Sequence, residues 1–164
     1  SFGFGFWQKG YHTLTKLVND SFDKVELNLH MPYSHFGDPL HKQGNEVEAA
    51  CRKEQTNPGM KLNITHDFKN DNGVLEFLAS NDINVFMYGE NGEGISSVID
   101  FALSVNRPIA ISNSQMFRHI VNDKITLENN SIGEILDRGT EPLDHLREQW
   151  STSNFVKALD KEFE

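Results

Sequence analysis

Apolar residues along this chain fall into short dense runs that alternate with longer stretches in which they recur three or four positions apart. Residues 25–31, 61–65, 83–87 and 107–112 are short runs, bounded by Asn, Asp, Gly or Pro, and read as strands. Residues 1–6 read as a strand fragment and 125–127 as a sixth strand. Between them, Tyr11, Leu14, Leu17 and Val18 mark one side of a helix that ends near Asn19 and Asp20, and helices are expected over 46–54, 73–79 and 98–105. After Ser131 the pattern becomes helical throughout, with segments at 132–137, at 143–150 behind the start signal Pro142, and at 155–163. Leu146 and Trp150 are four apart, as are Phe155 and Leu159, so each of the last two segments has one apolar side. Ser151, Thr152 and Ser153 separate them as a capping cluster.

Strands alternating with single helices imply parallel pairing with helices on both faces. The expected fold is therefore α/β, a Rossmann-like three-layer domain with a mostly parallel sheet of about six strands and C-terminal helices. The strand at 83–87 is followed by Tyr88-Gly89-Glu90-Asn91-Gly92-Glu93-Gly94-Ile95-Ser96-Ser97, then by a helix and the strand at 107–112. A glycine-rich loop at the carboxyl end of a parallel strand is where open sheets bind ligands, because the next helix opens with unpaired N–H groups that suit an anion. The opening Ser1-Phe2-Gly3-Phe4-Gly5-Phe6-Trp7-Gln8-Lys9-Gly10 is a second such loop. Its Gly3 and Gly5 allow a ligand close to the backbone, and Lys9 stands at the entrance of the following helix.

These loops do not complete a dinucleotide fingerprint, since no third glycine follows at the required spacing and no acid closes the second strand. Nor do they form a phosphate loop of the Gly-Lys-Ser/Thr type. Both an NAD dehydrogenase and a nucleoside triphosphatase are disfavoured. A receiver-type domain lacks its acidic cluster at the first strand. The 164 residues fit one domain, with 37% apolar residues for one core. A net charge of -9 without a basic stripe argues against nucleic acid as a partner. The single cysteine, Cys51, rules out an intrachain disulfide framework and fits a reducing compartment. No apolar run reaches the roughly 20 residues of a membrane helix, so no transmembrane segment is expected and the reading is cytoplasmic. Seven histidines are present, but none is paired in a metal-binding spacing, and no metal site is expected. His30 and His66, at strand ends, are candidates for lining a cleft. Ser112 and Ser114 lack a nucleophile elbow and read as turn residues.

In the order of its loops the chain resembles the C-terminal, donor-binding domain of GT-B glycosyltransferases, in particular the retaining family 4-like group. Glu93-Gly94-Ile95-Ser96 stands where that family has an acid, a glycine and small residues before a helix. Phe101-Ala102-Leu103-Ser104-Val105-Asn106-Arg107-Pro108 resembles its Glu-Ala-Met-Ala-x-Gly-x-Pro run, and Gly3 with Lys9-Gly10 its first loop. The resemblance implies that residues 1–164 are a single domain, the C-terminal half of a two-domain protein whose acceptor-binding N-terminal domain lies outside this chain. The first residue already lies within a strand, which fits such a half. It also implies a nucleotide-sugar as substrate, no further cofactor, Glu93 as the residue that meets the transferred sugar, and Gly3, Gly5, Lys9, Gly94, Ile95, Ser96, Ser97 and Asp100 around the donor. Two positions depart from the family. Phe101 stands where a second glutamate meets the ribose, with Asp100 beside it about 100° around the helix, and Phe4 stands where an arginine meets the diphosphate.

Overall fold

The computed structural model describes residues 1–89 and 94–162. Its first layer grows from the alternation in Val25-Glu26-Leu27-Asn28-Leu29-His30, which forms strand β1 (Val25–His30) with Leu27 and Leu29 buried. β1 pairs in parallel with β2 (Met60–Thr65), in register from Val25 opposite Met60 to His30 opposite Thr65. Helix α1 (Tyr11–Ser21) covers this pair with Tyr11, Leu14 and Val18, the spacing of one helical face. Helix α2 (Lys42–Glu54) packs beside it through Gly44, Val47 and Cys51. The α2 N-terminus is closed by Asp38, whose carboxylate accepts the Gly44 N–H at 2.8 Å.

The second half repeats the unit. Helix α3 (Asp71–Ala79), capped by Asn70 on the Gly73 N–H, leads into β3 (Asn84–Phe86), and α4 (Val98–Ser104) crosses to β4 (Ile109–Ile111), which lies parallel to β3. The expected crossover between these two strands is thus present. Both faces of this pair are buried. Val85 and Ala110 join the core under α1, β1 and α2, together with Ile132 and Ile135 of α5 (Ile132–Arg138). Phe86, Ile109 and Ile111 face a second core made with Val74 and Leu78 of α3, Ile99, Ala102 and Leu103 of α4, and Phe117, Ile120 and Ile125. Ser131 and Glu134 form a reciprocal capping box at the start of α5. The chain continues into α6 (Asp144–Gln149) and α7 (Thr152–Glu162). Among the described residues, no helix is long and apolar enough to cross a membrane.

The α/β class holds, but the expected Rossmann-like sheet of about six strands does not form. The described residues contain two separate two-stranded parallel sheets, β1–β2 and β3–β4. The two segments expected as outer members, 1–6 and 125–127, each contribute a single parallel bridge, Phe2 to His30 and Thr126 to Ile111. Gly3, at φ 140°, turns the first segment out of the extended region before a ladder can lengthen, and a 3₁₀ turn follows at Trp7–Lys9. Around 125–127 the backbone makes turn bonds instead, Ile125 N–H to Asn122 O and Asn129 N–H to Thr126 O. β4 is short because Pro108 precedes it and has no N–H to donate to a ladder.

His30 shows how tightly the first sheet is closed. Its ring is fully buried between Phe2 and Phe77, with centroids 5.7 and 5.4 Å away. Nδ1 lies 2.7 Å from Thr65 Oγ1, and Nε2 has no hydrogen-bond partner. Burial holds its pKa below the ordinary histidine value of 6.5, against the opposing pull of Asp67. An unfolded chain takes up this proton near 6.5 and the folded chain only at lower pH, so stability should fall as pH drops below about 6.5. Urea unfolding between pH 7.5 and 5 should show that slope in the native chain and a shallower one in His30→Gln, which keeps a polar partner for Thr65. At neutral pH, Ile111→Ala should lower stability by about 2–5 kcal/mol, the range for truncating a fully buried aliphatic side chain.

Candidate functional site

The two glycine-rich loops meet. Gly10 adopts a left-handed conformation at φ 65°, where it ends the 3₁₀ turn and begins α1, and a Cβ there would collide with the Met87 carbonyl at the end of β3. Two residues beyond Met87, the Gly89 N–H donates to Gln8 O at 2.9 Å. On the other side of the turn, the Tyr11 hydroxyl donates to Gly3 O at 2.6 Å and holds the first loop back against its own helix. These contacts set a cleft of about 350 Å³ between the loops. Its walls are Phe2, Gly3, Phe4 and Lys9 from the first loop, Pro32 behind β1, Ile95, Ser96, Ser97, Val98 and Phe101 around the start of α4, and Met116.

Lys9 is the one charged side chain among the described residues lining the cleft. Its ammonium lies over the Tyr88 ring, 3.9 Å from the centroid, and burial lowers its pKa from the ordinary 10.5 to about 8. Tyr88 is itself fixed from several directions. Its ring packs on Phe117 at 4.6 Å, its hydroxyl accepts from Ser96 Oγ at 3.2 Å, and its carbonyl accepts from Ser112 Oγ at 2.8 Å. Burial raises its phenol to about 12, so the ring under Lys9 stays neutral. Ser114 Oγ donates to Gly89 O at 3.1 Å and also caps the turn Gln115–Phe117. Ser112 and Ser114 therefore hold loop backbone, as turn residues do.

Of the residues expected around a donor, the structure brings Gly3, Lys9, Ile95, Ser96 and Ser97 to this one cleft. Gly5 is not among them: it packs against the α2 backbone, where a Cβ would stand 3.0 Å from Gly44 Cα. Gly94 also lies outside the lining, its carbonyl held by Arg118 Nη1 at 2.8 Å. The Ser96 N–H, expected to face an anion, donates instead to Met116 O at 3.1 Å. Asp100 is a helical step away from the cleft wall made by Phe101, and its carboxylate lies 3.9 Å from His119 Nε2. Glu93 lies outside the described residues. Phe4 and Phe101, the two positions that depart from the glycosyltransferase pattern, both stand in the cleft wall.

Neither histidine proposed for a cleft reaches this one. His30 is enclosed in the first sheet as described. His66 donates from Nδ1 to Met31 O at 2.7 Å, its Nε2 lies 2.6 Å from Glu48 Oε2, and its ring stacks on Tyr33. Among the described residues no three His, Cys, Asp or Glu side chains gather into a metal-binding group. The sequence reading missed Phe2, Pro32, Val98 and Met116 as wall residues and Arg118 as the clamp on Gly94. Tyr88 was legible only as the first residue of the glycine loop. Comparison with protein-family models, with curated proteins and with solved structures finds no match for this chain.

Gly10→Ala should destabilise the fold by more than about 1 kcal/mol, since it combines an unfavourable φ with a backbone collision. Chemical denaturation measures it directly. For Lys9 the unfolded ammonium keeps its proton to about 10.5 and the folded one to about 8. The stability cost of burying the charge is thus complete below about 8 and disappears as pH rises toward 10.5. Stability should climb across that window in the native chain but not in Lys9→Met, and side-chain NMR should place the Lys9 titration near 8.

Proposed function

We propose that this cleft takes the diphosphate of a nucleotide-sugar, and that the chain is the donor-binding part of a retaining glycosyltransferase whose acceptor half is a separate N-terminal domain. The observation that carries the reading is the convergence of Gly3 and Lys9 with Ile95, Ser96 and Ser97, from segments far apart in the chain, on one cleft with a single lysine. A diphosphate leaving group gains negative charge as the bond to the sugar breaks. The Lys9 ammonium, held against an aromatic face and partly shielded from water, is suited to stabilise it. The exposed Ser97 hydroxyl can donate to a phosphate oxygen. Helix α4, with seven residues, adds little dipole, so the side chains matter more here than the helix end. In this proposal Glu93 orients the transferred sugar. A cytoplasmic setting, with its supply of nucleotide-sugars, belongs to the same proposal, supported by the reduced and buried Cys51.

A second reading is a non-catalytic binding module related to such enzymes. Phe4 and Phe101 favour it, because the cleft wall is apolar at the two positions where the enzyme pattern has an arginine and a glutamate.

Titration with uridine or guanosine diphosphate, followed by amide NMR, should move Gly3, Lys9 and Ser97 together. Lys9→Met should weaken binding by about one to two decades, the equivalent of a charged hydrogen bond of roughly 1.5–3 kcal/mol. Binding should also weaken as pH rises through about 8, where Lys9 loses its charge. Shifts confined to a distant surface would remove the assignment. Phe101→Glu separates the two readings: tighter nucleoside diphosphate binding, with inorganic pyrophosphate unaffected, supports a donor site that contacts ribose, and no change supports the altered module.

A further inference from the structure

Several polar atoms of the cleft wall are already engaged within the protein. The Gly3 N–H donates to His30 O at 3.1 Å, and the Gly3 carbonyl accepts from the Tyr11 hydroxyl at 2.6 Å. The Phe4 carbonyl accepts the Phe6 N–H at 2.7 Å, the Ser96 carbonyl the Ile99 N–H at 3.3 Å, and the Ser97 carbonyl the Asp100 N–H at 3.1 Å. The buried Ser96 donates its hydroxyl to Tyr88 and its N–H to Met116 O. What the described lining still offers a polar ligand is the Lys9 ammonium, which only donates, and the exposed Ser97 hydroxyl. Both suit phosphate. All the remaining side chains of the lining are apolar, Phe2, Phe4, Phe101 and Met116 among them.

A pentose joined to a diphosphate at Lys9 lies within the same cleft of about 350 Å³, against those walls. A ribose brings two neighbouring hydroxyls, each a donor that needs an acceptor. Asp100, the carboxylate next to Phe101 on α4, lies outside the lining and 3.9 Å from His119 Nε2. A 2′-hydroxyl covered by the Phe101 ring gives up its water and gains no acceptor there, whereas a hydrogen on the same carbon packs on the ring without that cost.

We propose that the ligand of this cleft is a 2′-deoxyribonucleoside diphosphate carrying a sugar, and that the Phe101 ring disfavours the ribose form. The proposal rests on Lys9 holding the diphosphate, and adds to that reading which pentose the site accepts. Phe101 is half-buried and packs on the second core, so its place in the wall is set by the fold and is present before a ligand arrives.

Uridine diphosphate and 2′-deoxyuridine diphosphate differ by the one oxygen, and titrating each into the 164-residue chain, followed by the Gly3, Lys9 and Ser97 amides, isolates its effect. The deoxy form should bind about fivefold or more tightly than the ribose form, the lower end of the penalty for one unsatisfied hydroxyl. Phe101→Leu should keep that preference. Phe101→Gln, which offers an acceptor without adding charge, should cut it to about twofold or less. A preference below about fivefold in the native chain, with those three amides moving in both titrations, overturns the deoxy assignment and leaves the diphosphate site standing. An undiminished preference in a folded Phe101→Gln variant overturns Phe101 as its source. If Phe101→Gln does not fold, the native-chain comparison decides alone. If neither nucleotide nor inorganic pyrophosphate moves those amides, the diphosphate site itself falls and the pentose assignment falls with it.

Discussion

Gly10 can be nothing larger, because the Met87 carbonyl occupies the space where a side chain would begin. That contact joins the first loop to the end of β3, and the neighbouring bond from Gly89 N–H to Gln8 O makes the junction two-sided. The position of Lys9 follows from it, since Lys9 is the last residue of the 3₁₀ turn that Gly10 closes. So does its environment, because Tyr88 lies between Met87 and Gly89 and supplies the ring beneath the ammonium. One left-handed glycine thus brings together two segments that are far apart in sequence. It does so through backbone, which leaves the side chains around it free to shape a cleft.

Among the described residues, Lys9 is the one charge in a largely apolar cleft. A lone lysine on an aromatic face, with Phe2, Phe4, Phe101 and Met116 around it, is a poorly hydrated setting for charge. A ligand phosphate placed there would meet a cation whose own hydration is already reduced, so less water has to be displaced to pair them. Burial has the opposite consequence for His30, whose Nε2 has no partner to stabilise a positive ring. The same desolvation therefore makes one group a candidate for function and the other part of a closed core. The difference is access, since Lys9 opens onto a cleft and His30 is sealed by Phe2 and Phe77.

Much of the secondary structure was legible from local pattern. The helices at Tyr11–Ser21, Asp71–Ala79, Val98–Ser104 and Ile132–Arg138, and the parallel strands at Val25–His30, Met60–Thr65, Asn84–Phe86 and Ile109–Ile111, follow from apolar periodicity and from caps such as Asn70 and Ser131. These depend on residues a few positions apart, which the sequence displays directly. The order of the two glycine-rich loops was also visible, and with it the idea that Gly3, Lys9 and residues 95–97 belong together.

Sheet extent and side-chain direction were decided only in three dimensions. Whether residues 1–6 and 125–127 extend a ladder depends on backbone partners and on turns such as that at Gly3, and single bridges are what those turns leave. The opposite fates of Asp100 and Phe101, one beside His119 and one in the cleft wall, arise from the rotation of a helix whose orientation is set by Ile99, Ala102 and Leu103 in the second core. Gly5 was drawn away by Gly44 on a different helix, and Arg118 reached Gly94 from a later turn. Each of these depends on a contact between residues distant in the chain, so local periodicity carries no trace of it. The sequence by itself determined which segments would be helix or strand and which loops could face each other, and packing determined which side chains the cleft received.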